Sequence, residues 1–252
     1  MSTVIETRDL CKTYIVDKQS NNVLQNVNLK VRDGEFISVM GPSGSGKSTL
    51  LYTISGMDTV TAGNVFFDGE ELTAKKEKDL INIRLTKMGF IFQQMYMMKK
   101  LSILDNIVLP GFQAKLKSRE EIRAKAKELM RKLDIIDTAD REITEVSGGQ
   151  LQRACLCRAL INDPKVIFAD EPTGALNSKA SSEVMERLLN ANRNGTTVLM
   201  VTHSEKVASI SDRIIYLVDG NIQGELELGK MKDGELSVRE RQVRNWLGEM
   251  GW

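Results

Sequence analysis

Eight consecutive residues carry the plainest chemistry in this chain: Gly41-Pro42-Ser43-Gly44-Ser45-Gly46-Lys47-Ser48. Phosphate oxygens need several backbone N–H donors converging on one point. A glycine-rich loop at a helix N-terminus turns tightly enough to supply them, and the helix dipole adds positive potential there. The spacing is that of a P-loop, with Gly41 and Gly46 in place and Lys47-Ser48 following. Ser43, Gly44 and Thr49 join it as contacts. In such a loop the lysine neutralises β- and γ-phosphates and the hydroxyl at 48 holds Mg2+. A second signal is Val166-Ile167-Phe168-Ala169-Asp170-Glu171, four apolar residues running into two carboxylates. Asp170 suits a Mg2+ shell, and Glu171 suits deprotonation of an attacking water. His203, the single histidine, follows another apolar run at 197–202.

These groups need strands to deliver them and helices to receive them. Apolar runs bounded by Gly, Asp or Pro predict strands at 4–10, 27–31, 36–40, 65–68, 88–92, 166–170, 197–202, 213–218 and 222–226. Asp33-Gly34, Asp68-Gly69 and Asp219-Gly220 read as turns, the last as a hairpin. Helices are expected at 47–55, 118–133, 149–161 and 178–192, the second with Ile122, Ala126, Leu129 and Leu133 on one stripe. The P-loop then lies between a strand and a helix, and Asp170 at the C-terminal end of a strand, where open α/β sheets bind ligands. The expected architecture is a mostly parallel α/β core with a helical insertion at about 93–162.

Composition narrows the class. The chain has 252 residues, 35 Lys and Arg against 34 Asp and Glu, and a formal charge of +1. That balance argues against a bulk nucleic-acid coat. A hydrophobic share of 41% and a charged share of 27% fit a globular fold. No apolar run approaches the length of a bilayer span, and the start, with Glu6, Arg8 and Asp9, does not read as a secretory leader. Three cysteines, Cys11, Cys155 and Cys157, fit a reducing compartment, and the last two are expected to be buried apolar residues. The basic stretch 115–132 reads as a solvated helix face or as a contact for anionic groups.

Ser147-Gly148-Gly149-Gln150, after Val146 and between the P-loop and the Asp-Glu strand, resembles the signature of ABC-family ATPases. The resemblance covers nearly the whole chain. It implies an α/β fold: a P-loop NTPase (RecA-like) core, a helical ABC signature subdomain and an antiparallel β part, over residues 1–230 with a tail at 231–252. ATP and Mg2+ are the implied cofactors. The signature would cap the γ-phosphate of ATP held by a second copy of the chain. The implied partners are that second copy and a separate membrane permease at the cytoplasmic face, with no nucleic acid.

Further positions follow from the same resemblance. Tyr14 matches the aromatic that stacks on adenine. Gln93, after Ile91-Phe92, matches the glutamine that joins the Mg2+ site to the helical insertion. Asn177, ending Gly174-Ala175-Leu176-Asn177, stands where the family usually has Asp. His203 matches the histidine that hydrogen-bonds the γ-phosphate. Met95-Tyr96-Met97-Met98 falls where the family forms a permease groove, though methionines at that place also serve as core filler. The segments 104–110 and 170–176 look like the subgroup of lipoprotein release, macrolide export and peptide-antibiotic resistance. Asn177 and the tail 245–252 look most like bacitracin-type transporters. The tail's tryptophans could equally pack on the core. The alternative function is a regulatory or scaffold cassette of the cell-division type.

Overall fold

The computed structural model describes residues 2–174 and 176–252. In chain order its strands and main helices are β1 (Thr3–Val16), β2 (Gln19–Arg32), β3 (Phe36–Met40), α1 (Lys47–Ile54), β4 (Ala62–Phe67), β5 (Glu70–Glu71) and α2 (Glu77–Lys87). Then come β6 (Met88–Ile91), α3 (Ile103–Ala114), α4 (Arg119–Lys132), α5 (Gly148–Leu160), β7 (Val166–Asp170) and α6 (Ser178–Arg193). The last are β8 (Thr197–Val201), α7 (Glu205–Ala208), β9 (Arg213–Val218), β10 (Asn221–Glu227) and α8 (Leu236–Glu249). Two compact units form: one from the chain up to Leu80 together with Thr197–Trp252, the other from Ile81–Thr196. Among the described residues no helix is long and apolar enough to cross a membrane.

In the first unit β3 pairs in parallel with both β8 and β9, and β10 closes antiparallel on β9. Every residue of β3 and β8 is buried, which is why both read as nearly continuous apolar runs, with only Ser38 and Thr197 polar, rather than alternating ones. A separate antiparallel sheet runs in the order β2-β1-β4-β5. The expected strands at 4–10 and 27–31 are only the inner halves of β1 and β2. Both continue into a solvent-exposed hairpin whose tip, Asp17-Lys18, has φ of 49° and 64°. Two positive φ values at a two-residue turn match the twist of the flanking strands. Periodicity missed the outer halves because their residues are mostly exposed.

The second unit pairs β6 with β7 in parallel, Met88 opposite Val166 and Ile91 opposite Ala169. Helices α2, α3, α7 and α8 were not among the expected ones. Pro110 and Gly111 both lie inside α3, where Gly111 lets α4 approach. A β-carbon at Gly111 would meet the Ile122 side chain at 2.7 Å. Helix α2 buries only Ile83, so it has no apolar stripe to read. Helix α4 follows the expectation closely, its Ser118–Glu121 capping box complete, although Met130 rather than Leu129 is in the buried set.

Residues beyond 230 form α8, which packs in the first unit. Val243 and Leu247 join Met40, Ile214 and Tyr216 in one apolar cluster, with Trp246 and Met250 against it. The buried Arg239 donates to the carbonyls of Ser209 (2.8 Å), Gly229 (3.0 Å) and Ser211.

A buried ion pair locks β9 to the segment entering β3. Arg213 and Glu35 are 5% and 4% exposed, with Nε 2.8 Å from Oε1. Burial lowers the guanidinium's proton affinity, but Glu35 and Glu225 more than offset this and hold its pKa above the usual value. Removing one partner of such a pair strands the other charge. Arg213→Ala should therefore destabilise the chain by about 3 kcal/mol or more. Thermal unfolding checks this, with a fall in Tm of roughly 6–12 °C expected.

Candidate functional site

The phosphate-binding loop lies in the first unit, between β3 and α1. Gly41 has φ of 153°, and a β-carbon there would lie 1.9 Å from the Leu217 carbonyl oxygen. Gly46 caps α1 with φ of 97°, and a β-carbon there would lie 2.7 Å from the Val23 carbonyl oxygen. The two invariant-looking spacings of the motif are thus steric: the loop presses against β9 on one side and β2 on the other. Gly44, at φ 80°, has nothing within 4 Å and needs only its backbone freedom. Helix α1 has no acidic residue in its first turn and no side-chain cap, so its positive end is offered to a ligand. Lys47 is buried and its ammonium folds over the loop, 2.6 Å from the Pro42 carbonyl and 3.5 Å from Ser45 Oγ. Ser43 is exposed, and Ser48 and Thr49 are half-buried on the first turn.

Tyr14 stands near the hairpin tip, its phenol donating to Asp58 Oδ2 at 2.6 Å. Lys12 Nζ lies 2.7 Å from Asp58 Oδ1 and 4.7 Å from the Tyr14 ring centre. Burial pulls the Asp58 carboxyl upward, but Lys12, Tyr14 and the Thr59 amide outweigh it and hold the carboxyl below its usual range. Burial first, then the bond to Asp58, raises the Tyr14 phenol. The ring is therefore fixed in orientation while 37% exposed. His203 follows β8 and is exposed. Its ring centre is 6.3 Å from that of Trp252, which in turn is 6.1 Å from Tyr216. Sequence reasoning missed this proximity of the tail to His203. An approach set by the course of α8 leaves no local pattern.

In the second unit β7 delivers Asp170 to its C-terminal end, 6% exposed. Glu171 follows with φ of 45°, a left-handed conformation for a non-glycine residue. Gln93 Nε2 donates to Glu171 Oε2 at 3.0 Å, and the Gly174 amide to the Glu171 carbonyl at 3.1 Å. The structure therefore brings Gln93 and Glu171 together. Ser147, Gly148, Gly149 and Gln150 start α5. Ser147 Oγ accepts from the Gln150 amide at 3.3 Å, and Gln150 Oε1 accepts from the Ser147 amide at 2.9 Å. This capping box fixes the turn and leaves Ser147 and Gly148 exposed. Asn177 caps α6 by accepting from the Ala180 amide at 2.9 Å, a task aspartate does equally well. Ala175, in the segment before it, lies outside the described residues.

The loop 95–98 is half-buried at Met95 and Met97 and exposed at Tyr96 and Met98. Arg158 of α5 donates to the carbonyls of Met95 and Tyr96, each at 2.8 Å. Cys155 and Cys157 are buried, as expected. Burial pushes the Cys155 thiol to about 11 and the Cys157 thiol higher still, so neither is a thiolate near neutral pH. No group of three or more His, Cys, Asp or Glu forms a metal cage among the described residues. Mg2+ carried by a nucleotide needs only one or two protein carboxylates beside phosphate and water. Ser48 in the first unit and Asp170 and Gln93 in the second each carry an oxygen donor of the kind such an ion takes.

A glycine loop seated on a parallel sheet, with a strand ending in paired carboxylates, defines a P-loop nucleoside triphosphatase. A family model described as ABC transporter matches residues 24–174. The chain belongs to the ABC transporter family, as an ATP-binding, ATP-hydrolysing subunit. It is 39% identical over 227 residues to the bacitracin export ATP-binding protein BceA of Halalkalibacterium halodurans, covering 90% of this chain and 89% of that one. It is 40% identical over 204 residues to the lipoprotein-releasing system ATP-binding protein LolD of Aquifex aeolicus, covering 81% and 91%. Among solved structures it resembles the cassette MJ0796 of Methanocaldococcus jannaschii, a dimer in a post-hydrolysis state bound to ADP and Pi. The TM-score is 0.84 at 39% identity, over 90% of this chain and 100% of that one.

The contrast between Gly44 and Gly46 is testable. Gly44→Ala should cost about 1–2 kcal/mol of stability from φ alone and leave nucleotide affinity within a few-fold. Gly46→Ala adds a collision with the Val23 carbonyl, so ATP affinity should fall by about tenfold or more. Thermal unfolding and equilibrium ATP titration separate the two.

Proposed function

We propose that two copies of this chain sandwich two ATP molecules, each held by the P-loop of one copy and the signature turn of the other, and drive a membrane permease. The observation that carries this reading is the setting of Glu171. Its Oε2 takes a hydrogen bond from Gln93 at 3.0 Å, one residue past the Asp170 that ends β7. A carboxylate so held is fixed in direction, which is what a base that must meet one water needs. The dimeric form of the M. jannaschii cassette supports the two-copy part.

In this reading the amides of Gly41, Ser43, Gly44 and Gly46 with the Lys47 ammonium cradle the phosphates. Ser48 and Thr49 complete the loop's contacts, and Tyr14 stacks on adenine. Ser147, Gly148, Gly149 and Gln150 present a helix N-terminus to the γ-phosphate of the partner's ATP. Asn177 lines the seam beside them. Glu171 takes the proton from the attacking water, and His203 holds the γ-phosphate side of the reaction. Mg2+ arriving with ATP, held by Ser48, Asp170 and Gln93, would neutralise phosphate charge.

The permease contact is assigned to the loop 95–98. Its exposed Tyr96 and Met98 offer an adaptable apolar surface, braced from behind by Arg158. The chain then sits at the cytoplasmic face, peripheral to the membrane, with no call on nucleic acid. The transport role is read as resistance to, or sensing of, peptide antibiotics. The likeness to the bacitracin export protein supports this, as does Asn177 with the tail. Similar likeness to the lipoprotein-releasing protein makes a direct test necessary. ATPase activity of the assembled transporter should rise with bacitracin, and a rise with lipoprotein instead would reassign the substrate.

Glu171→Gln keeps the shape but cannot take a proton, so hydrolysis should fall by about 100-fold or more while ATP binding is kept. Size-exclusion chromatography with ATP should then show a stable dimer, which Lys47→Ala does not form. For the loop, Met97→Glu with Met98→Glu would bury unpaired charge against an apolar partner at several kcal/mol, about 2 or more. Membrane recruitment should be lost and ATP binding kept. Co-purification with membranes beside a nucleotide titration checks both.

A further inference from the structure

The helix that starts at the signature turn is fastened to the loop of Glu171 by one buried side chain, Gln152. Its first turn is exposed at Ser147 and Gly148, but two residues past the capping box the helix goes underground. Gln152 is 2% exposed and lies among the buried Ala154, Cys155 and Leu156 of α5. Its Nε2 donates to the Pro172 carbonyl at 2.6 Å. A buried amide aimed at a single backbone carbonyl fixes distance and direction together.

What it holds is a strained peptide. Glu171 sits at φ 45° without being glycine, a conformation that persists only where the surroundings over-determine it. The Gly174 amide closes the turn on the Glu171 carbonyl, and Gln93 holds the carboxylate. Pro172, buried and with its φ fixed by its ring, carries the third restraint through Gln152. The residues of α5 that would meet the partner's nucleotide, Ser147–Gln150, belong to the same helix as Gln152. A shift of that helix must therefore move the peptide that aims Glu171.

We infer that Gln152 is a positioning residue that couples a chain's signature turn to its own Glu171, so that occupancy of one ATP site sets the base of the other. The inference rests on reading Glu171 as the base. Its signature is an asymmetry: loss of Gln152 should harm hydrolysis at the P-loop of the same chain, not at the site its signature caps.

The test uses full-length chains mixed before ATP is added, the working chain with about tenfold excess of a partner carrying Glu171→Gln, so that nearly every working chain sits in a mixed dimer by mass action and the remaining dimers carry no working base. In the first mixture the working chain carries Gln152→Met, which keeps the volume and removes the donor. In the second the working chain is wild type and Gln152→Met sits on the Glu171→Gln partner. Relative to the unaltered working chain with the same excess partner, the first should lose about tenfold in kcat with KM little changed, and the second should change less than about twofold. Equal loss in both would overturn the inference, because Gln152 would then merely support the signature. No loss in the first would also overturn it. Gln152→Asn, which keeps the amide one methylene short, is run in both placements in case the methionine variant does not fold. It should show a smaller loss in the first placement alone, and equal loss in both would again overturn the coupling. A Glu171→Gln homodimer that hydrolyses ATP at the wild-type rate would instead sink the reading of Glu171 as the base.

Discussion

Everything in this fold answers to one electrostatic demand, the close approach of backbone N–H groups to a polyphosphate. Convergent amides need a loop without β-carbons, pressed onto a rigid floor. Gly41 against the Leu217 carbonyl and Gly46 against the Val23 carbonyl are the two places where that pressure is visible. The floor is β3 between β8 and β9, buried throughout its length. The Arg213–Glu35 pair and the Arg239 anchor of α8 brace the same region at its far end. Lys47 lies folded onto its own loop, so the cation is stored where the phosphate charge will need it.

The part of the chain that carries Glu171 answers a different demand, aim rather than charge. Asp170 is brought to its place by a buried strand, which needs no strain. Glu171 must turn its carboxylate away from that strand within one residue, and the left-handed backbone is how it does so. Such a turn stores roughly 1–3 kcal/mol, held by Gln93, Gly174 and, one residue on, Gln152. The resulting loop is tied to α5 by that last bond.

Much of this was legible in the residues themselves. Strands buried on both faces leave continuous apolar runs, so β3, β7 and β8 could be read directly, and with them the stations of Lys47, Asp170 and His203. The Ser147–Gln150 turn was legible because Ser-Gly-Gly-Gln between the P-loop and the Asp-Glu strand resembles the family's signature. Other parts had no such trace. The outer halves of β1 and β2 pair with each other beyond the core and leave most of their residues, Ile15 and Val16 included, exposed to solvent, so no buried face marks them. Helix α2 buries a single residue, and α3 carries Pro110, whose usual meaning is a break. Gln152 shows its role only once the fold brings Pro172 beside it, because a buried amide with one distant acceptor has no sequence pattern. The approach of Trp252 to His203 is of the same kind.

The central claim is that each ATP site is composite, P-loop from one chain and signature turn from another. Complementation tests it most directly. A chain with Lys47→Ala keeps its signature turn, and a chain with Ser147→Arg keeps its P-loop. Each alone should be inactive. Mixed in equal amounts, they form dimers in which one site draws an intact P-loop from the second chain and an intact signature from the first. The account predicts that phosphate release reappears in the mixture. A mixture as silent as its two components would contradict it, because both halves of the site would then have to come from one chain.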